Sequence, residues 1–302
     1  MKSRDILAVG SVALDTVKTP FGQAREALGG SATHFAAAAR FFSPVHIVAP
    51  IGQDFPSKYI HLLKNLKIGL DDLRVEAGKT FRWQGYYGFD LNTARTLKTE
   101  LNVFETFSPN LSKQNRHRRT VFLANIDPEI QKSVLKQVLR PDLVACDTMN
   151  YWIETKKRSL LDLLKKVDIF LCNDAEARQL TSESNLMASS RWILSRGPKI
   201  VVIKKGEHGV ACFSKNFLFC LPAFLLERVA DPTGAGDAFA GGFMGSLSAS
   251  GRVNEAEIRK AVVYGSVLAS YNVERFSLMR LAALRRGEIE SRFRLFAKRT
   301  CF

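Results

Sequence analysis

The sequence predicts an α/β fold in which helices cover both faces of a mostly parallel sheet, with a small β-rich insertion. Three observations carry this. Short apolar runs alternate with segments of helical periodicity from Ile6 onward. Acidic or amide residues follow several of those runs, at the position where open α/β sheets bind ligands. The one break in the rhythm, between Lys79 and Phe104, alternates polar and apolar residues at strand spacing.

In chain order, Ile6 to Gly10 reads as a first strand ending in Gly-Ser, with Leu14 and Asp15 just beyond. Asp15 is thereby a ligand-side acid or an ordinary turn residue. Gly29, Gly30 and Ser31 precede Ala32 to Phe42, which is rich in alanine and aromatics at helical spacing. The paired glycines allow close backbone approach or a hinge, and Ser31 is expected to cap the helix. His34 falls in its first turn. Val45 to Ile51 is a buried-type strand, followed by a helix from Pro56 to Leu66. Then come KTFRWQGYYG (79–88) and 95–104, the expected small antiparallel sheet. Trp83, Tyr86 and Tyr87 are candidate ligand walls, with sheet packing and a dimer contact as the alternatives.

From Thr120 the strand–helix rhythm returns. TVFLAN, LVACD and IFLCN each precede a helix and leave Asp127, Asp147 and Asn173 at strand ends, a row that points to one ligand edge. KIVVIKKG (199–206) and Gly209 to Ser214 are separated by Glu207 and His208. The end is helical, from Asn254 to Tyr271 and in basic helices from about Leu278 to Lys298. Between them lies ADPTGAGDAFAGGFMGSL (230–247), a Gly-rich turn opening a helix. Such a turn gathers unpaired N–H groups and the positive end of the helix dipole, which makes an anion site. Asp237 in its first turn would repel a resting phosphate. It suits a base that takes a proton from a hydroxyl while the N–H groups hold charge in transfer; complementing the helix dipole is its plainer reading.

With 302 residues, 46% hydrophobic and 24% charged, the chain has room for a large core, and no long uncharged apolar run could span a bilayer. No linker or fixed-period repeat divides it, so a single domain over 1–302 is expected. Asp5 and Asp15 interrupt any signal-like start, so the chain is expected to be cytoplasmic. The five cysteines (Cys146, Cys172, Cys212, Cys220, Cys301) are scattered and are read as buried free thiols. The net charge of +15 invites a polyanion partner. The basic clusters around Lys113 to Arg119, Lys156 to Arg158 and Arg292 to Arg299 carry no interleaved aromatics of a nucleic-acid module, and are expected to be solvated faces. Anionic phosphate ligands suit the same surplus.

With these residues in place, the chain resembles the ribokinase-like (PfkB) family of carbohydrate and nucleoside kinases. The resemblance runs nearly end to end and is carried chiefly by Asp231-Pro-Thr-Gly-Ala-Gly-Asp237 with the following Ala-Phe-Ala-Gly-Gly, similar to the family's DTxGAGD motif. It implies a ribokinase-like three-layer α/β/α fold with a β-sheet lid, built mainly from about 79–105 with 12–28 as a further contributor. It implies an ATP-dependent phosphotransferase acting on a hydroxymethyl group of a small sugar or nucleoside. On that resemblance Asp237 is the general base, and the N–H groups of Gly234, Ala235 and Gly236 are the anion hole. Asn173 and Glu176 match the NxxE motif that organises Mg2+ and the ATP phosphates, Glu176 reaching the ion through water. A helix capping box is the same pair's structural reading. Lys205, Gly206 and Gly209 resemble the segment along the nucleotide, with a simple hairpin turn as the rival, and Asp231 corresponds to a residue near the monovalent-cation (K+) loop.

On the acceptor side, Asp15, Gly29 and Gly30 match positions that hold substrate hydroxyls and form the hinge, and Asp127 matches an acid lining the same pocket. His34 stands where the family usually has an acceptor-binding Asn, Pro232 stands in place of a frequent Thr, and the lid brings Trp83. A closing lid keeps water from competing as acceptor, and a homodimer through the lid belongs to the same expectation. No nucleic-acid or membrane partner is expected. The alternative is a catalytically silent nucleotide- or sugar-binding regulatory protein of this fold, which would have no need of Asp237 as a base.

Overall fold

The computed structural model describes residues 4–300, so Cys301 lies outside the described residues. The chain opens with β1 (Ile6–Val9), β2 (Ala13–Thr19), β3 (Gly22–Gly29), α1 (Ser31–Ala39), β4 (Val45–Gly52), α2 (Ser57–Asn65), β5 (Gly69–Glu76), β6 (Arg82–Tyr87) and β7 (Ala94–Glu100). Strand–helix alternation follows in β8 (Thr120–Leu123), α3 (Pro128–Gln137), β9 (Leu143–Cys146), α4 (Asn150–Thr155), α5 (Lys157–Leu164), β10 (Ile169–Asn173), α6 (Asp174–Thr181), α7 (Leu186–Leu194) and β11 (Ile200–Lys204). The last elements are β12 (Val210–Ser214), β13 (Leu218–Leu221), α8 (Ala235–Ser250), α9 (Glu255–Asn272), α10 (Met279–Ala283) and α11 (Arg286–Thr300).

The large sheet has the order β13-β12-β11-β10-β9-β8-β1-β4-β5. It is parallel except for β12 and β13, which pair antiparallel at one edge. The chain leaves β1 towards β4 and β5, then returns to the other side of β1 with β8. Outside the carboxyl ends of the strands at such a reversal lies the crevice where open α/β sheets take ligands.

Strand parity divides the core. Ile6, Ala8, Phe122, Ala145, Leu171 and Val202 face the layer of α1, α8 and α9, whereas Leu7, Val9, Val121, Val144, Phe170 and Ile203 face α3, α5, α6 and α7. Burial on both faces explains why these strands read as unbroken apolar runs.

The small sheet has the order β3-β2-β6-β7. The 79–104 stretch is antiparallel as expected, β6 against β7, and a parallel pairing of β2 with β6 joins it to the β2–β3 hairpin. Asp15 is not just past β1 but inside β2, opposite Ala27 and Trp83. Ser31 does not cap α1: Gly30 is the N-cap, and the Ser31 hydroxyl accepts the Ser11 N–H at 3.1 Å, tying β1's exit to the helix. Cys146, Cys172 and Cys212 are buried, but Cys220 is exposed because β13 is an edge strand.

Within the basic clusters Arg118 and Arg292 are largely buried, whereas Arg119 and Arg299 stay exposed. Arg118 pairs with Asp5, and Arg119 donates to Asp142 at 3.0 Å. Arg292 lies 3.4 Å over the Tyr271 ring and donates to Glu274 at 2.6 Å, while Arg299 sits over Phe224.

Helix α8 is buried from Ala238 to Ser248. A Cβ at Gly241 would lie 2.3 Å from the Phe35 carbonyl oxygen of α1, and one at Gly242 would lie 2.8 Å from the Tyr264 carbonyl oxygen of α9. The two adjacent glycines thus admit two backbones, one on each side of α8.

This packing gives the same substitution opposite signs at two sites. Gly241→Ala should cost about 1–3 kcal/mol by overpacking. Gly287→Ala, in the first turn of α11 with nothing within 4 Å of the added methyl, should gain roughly 0.5–1 kcal/mol. Urea denaturation of the two variants measures both, and a neutral Gly241→Ala would contradict the packing account.

Candidate active site

The site is built on the turn that starts α8. Gly234 is left-handed (φ 73°, ψ 3°), and a Cβ there would lie 2.3 Å from the His34 ring, so only glycine fits. Of the three N–H groups expected as an anion hole, that of Ala235 turns back to the Pro232 carbonyl at 3.1 Å. Those of Gly234 and Gly236 make no hydrogen bond among the described residues, and they remain for a ligand. Asp237 follows in the first turn and is still partly open to water.

His34 lies under this turn and is buried. The Asn272 amide donates to the Thr233 carbonyl at 2.8 Å, which leaves its oxygen facing His34 Nδ1, also at 2.8 Å. Nδ1 therefore carries the proton. Burial lowers the His34 pKa against the opposing pull of Asn272 and Asp231, and the ring stays neutral at neutral pH. Asp231 is buried and accepts the Thr233 N–H (2.9 Å) and the Ser277 N–H (3.3 Å), binding the turn to the chain after α9. Tyr87 of the small sheet meets the Thr233 hydroxyl at 3.4 Å.

Asp15 reaches the same place from β2. Its carboxylate fills the space a side chain at Gly29 would need, 1.9 Å from that Cβ position. Burial first, then the nearby Asp231 and Asp237 charges, raise its pKa to about 7, against the Gly30 N–H, which lowers it. Asp237 is raised to about 7 by burial and by Asp147, with Lys204 opposing. Glu176 also reaches about 7, through burial, with Lys204 lowering and Asp147 raising.

Lys204 was not singled out from the sequence, and Asp147 only as one of a row of strand-end residues, yet they form its central ion pair, Nζ to Oδ2 2.6 Å. Parity was the available signal. Ala145, Leu171 and Val202 face the α8 layer, so two residues on, Asp147, Asn173 and Lys204 project to that same side. The neighbouring Lys205 is out of phase. It and Gly206 open a short turn closed by Gly209, where Lys205 N–H donates to the Gly209 carbonyl at 2.7 Å. A side chain at Gly209 would strike the Leu221 carbonyl. The tip of the β6–β7 hairpin reaches this turn, with Asn92 donating to Glu207 at 2.9 Å.

Asp127 goes elsewhere. It caps α3, accepts the Glu129 N–H at 2.8 Å and faces Lys156 at 3.7 Å, in the layer opposite α8. Asn173 and Glu176 form a reciprocal capping box at the start of α6, both bonds 2.7 Å. Trp83 stands opposite Asp15 in the ladder, lies over Gly85 and donates to Thr96 at 3.1 Å. Among the described residues no three His, Cys, Asp or Glu side chains gather as a metal set, and no helix is long and apolar enough to cross a membrane.

A profile of the pfkB family carbohydrate kinases matches residues 4–282. The cytidine kinase of Thermococcus kodakarensis is 30% identical over 251 residues, 81% of this chain and 88% of that protein. The nucleoside kinase of Methanocaldococcus jannaschii is 25% identical over 296 residues, 90% of this chain and 91% of that protein. The crystal structure of a Methanocaldococcus jannaschii nucleoside kinase superposes with a TM-score of 0.80 at 22% identity, covering 97% of this chain and 99% of that one.

Three carboxyls raised to about 7 make stability depend on pH. Each folded-state pKa lies above its unfolded value, so the folded protein keeps protons that the unfolded chain gives up. This contribution is complete below the ordinary 3.8 of an aspartate and is lost as pH rises through about 7. Asp15→Asn/Asp237→Asn should therefore gain melting temperature over wild type at pH 8 and gain clearly less at pH 5. An equal gain at both pH values would mean that these carboxyls titrate normally.

Proposed function

The chain belongs to the pfkB family of carbohydrate kinases, and from that premise we propose that it transfers the γ-phosphoryl group of ATP to a hydroxymethyl group of a nucleoside. A sugar or nucleoside as acceptor follows from the family. Narrowing it to a nucleoside rests on the names of its relatives, a cytidine kinase and a nucleoside kinase, and on Trp83, whose indole beside Asp15 offers a face for a base.

The observation that carries the chemistry is Asp237 beside the unpaired Gly234 and Gly236 N–H groups. A carboxyl poised near 7 is matched to general-base work at neutral pH. In this reading Asp237 takes the acceptor hydroxyl proton as the new O–P bond forms and the bond to the ADP oxygen breaks. The N–H groups stabilise the charge of the phosphoryl group in transfer. Asp15 accepts hydrogen bonds from the acceptor's hydroxyls at the Gly29–Gly30 hinge. His34 and Asn272 hold the turn in shape. A silent regulatory protein would not require the base, and nothing in the site favours that reading.

Mg2+ keeps water and takes one or two carboxylates plus substrate phosphates, and Glu176 at the start of α6 would supply one such carboxylate. Glu176 would hold it through water, and the bound ion would neutralise phosphate charge, with Asn173 orienting Glu176 and the turn of Lys205, Gly206 and Gly209 lying along the nucleotide. K+ would act through the loop that Asp231 ties between Thr233 and Ser277. The small sheet is read as the lid, with Asn92 on Glu207 and Tyr87 on Thr233 as its closing contacts.

Asp237→Asn should keep the melting temperature within a few degrees of wild type or raise it, and cut kcat by roughly 10²–10⁴-fold. Coupled ADP assays over pyrimidine and purine nucleosides, ribose and fructose, with K+ or Na+, supply the comparison. Wild-type turnover in this variant would remove Asp237 as the base. Trp83→Ala should raise KM for the preferred nucleoside at least tenfold, about 1.4 kcal/mol, and leave KM for ATP unchanged. Equal KM values with nucleoside and free sugar in wild type would sink the stacking assignment.

A further inference from the structure

Resting on the phosphotransferase reading and deepening it, we infer that Lys204 is a catalytic residue that binds the phosphoryl group in transfer at the Gly234–Asp237 turn, with Asp147 as its positioning residue. Lys204 ends β11 and Asp147 follows β9, and β10 lies between those strands. To reach Asp147 Oδ2 at 2.6 Å, the lysine crosses the carboxyl end of β10, where Asn173 stands. Asp147 is held in turn, because its Oδ1 accepts the Thr148 N–H at 2.8 Å. The ammonium ends 3.1 Å from the position that a Cβ of Gly236 would occupy. A cation therefore sits against the same turn whose Gly236 N–H is unpaired.

Two physical arguments turn this placement into a role. A buried ion pair is a weak device for stability, since apolar residues of similar volume serve as well or better. Its position at the ligand end of the sheet calls for another reason. The second argument is charge. Asp15, Asp147, Glu176, Asp231 and Asp237 crowd this edge, and Lys204 is the cation that acts on both Glu176 and Asp237. A phosphoryl group arriving among carboxylates would be repelled without it. An ammonium has three N–H donors and Asp147 takes one, leaving two for phosphoryl oxygens. Lys204 stays protonated throughout: the hydroxyl proton goes to Asp237, the bond to ADP breaks, and the lysine only donates hydrogen bonds.

The competing role is a plain counter-charge for Asp147, and a paired removal separates the two. Lys204→Met, Lys204→Arg and the double variant Asp147→Asn/Lys204→Met are compared with wild type for melting temperature, kcat, and calorimetric affinity for MgADP with and without aluminium fluoride, a mimic of the phosphoryl group in transfer. Lys204→Met should lower kcat by about 10²–10³-fold, the size of losing one stabilising donor. It should abolish the tightening that aluminium fluoride gives to MgADP and leave MgADP affinity alone close to wild type. The double variant should recover melting temperature without recovering kcat or tightening, and Lys204→Arg should retain part of both. Recovery of kcat in the double variant, or full tightening in Lys204→Met, would overturn the inference. A wild type that turns over no acceptor but tightens through Lys204 would defeat the function reading and keep Lys204 as the phosphoryl ligand. Affinity indifferent to Lys204 overturns the inference whatever the turnover.

Discussion

Helix α8 lies between α1 and α9 at distances that admit no side chain at Gly241 or Gly242. That close packing fixes where the helix begins, and its beginning is the Gly234 turn. The neighbours then complete the turn: α1 supplies His34 beneath it, α9 supplies Asn272 beside it, and Asp231 anchors the approach to it. Each of these contacts is short and local, but all depend on three helix backbones meeting without intervening side chains. A shift of α8 by the width of a methyl group would carry Asp237 away from the strand ends beside it.

The strand ends impose the second constraint. Parity sends Asp147, Asn173 and Lys204 to the α8 side, where they meet a carboxylate and two unpaired N–H groups. The result concentrates acids in a place of low water content and raises three of them to about 7. Such an arrangement costs stability at neutral pH and leaves groups that titrate near neutral pH. Lys204 keeps the cluster from being wholly anionic.

Much of this was legible in the sequence. Apolar runs with polar ends located the sheet, and the Gly-rich turn with Asp237 located the start of α8, on which the candidate site is built. What was not legible depended on partners distant in sequence. Asp127 looked equivalent to Asp147, yet it begins a helix on the opposite face, and only parity counted from a known face separates them. Lys205 drew attention because it adjoins Gly206, whereas Lys204, one residue earlier, has the inward phase. Nothing local to His34 reveals its partner Asn272, 238 positions away. The parallel joining of β2 to β6 was hidden for a similar reason: each hairpin reads as antiparallel on its own, and the strands that join them lie far apart in the chain.

The arginines at the carboxyl end of the chain bear on how the molecule carries its charge. Arg280 and Arg292 share Glu274 and both stack on Tyr271. Arg118 and Arg119, read from sequence as a basic stretch, each have an aspartate partner. The net charge of +15 remains as a monopole. At these positions, though, a guanidinium with a carboxylate at contact distance looks like a dipole from a Debye length away, about 8 Å at physiological salt. Seen from the solvent, then, these stretches contribute a diffuse field and not a keyed electropositive face. Lysine could not take over from arginine here, because only a planar ion can lie flat on a ring and donate along its edge at the same time.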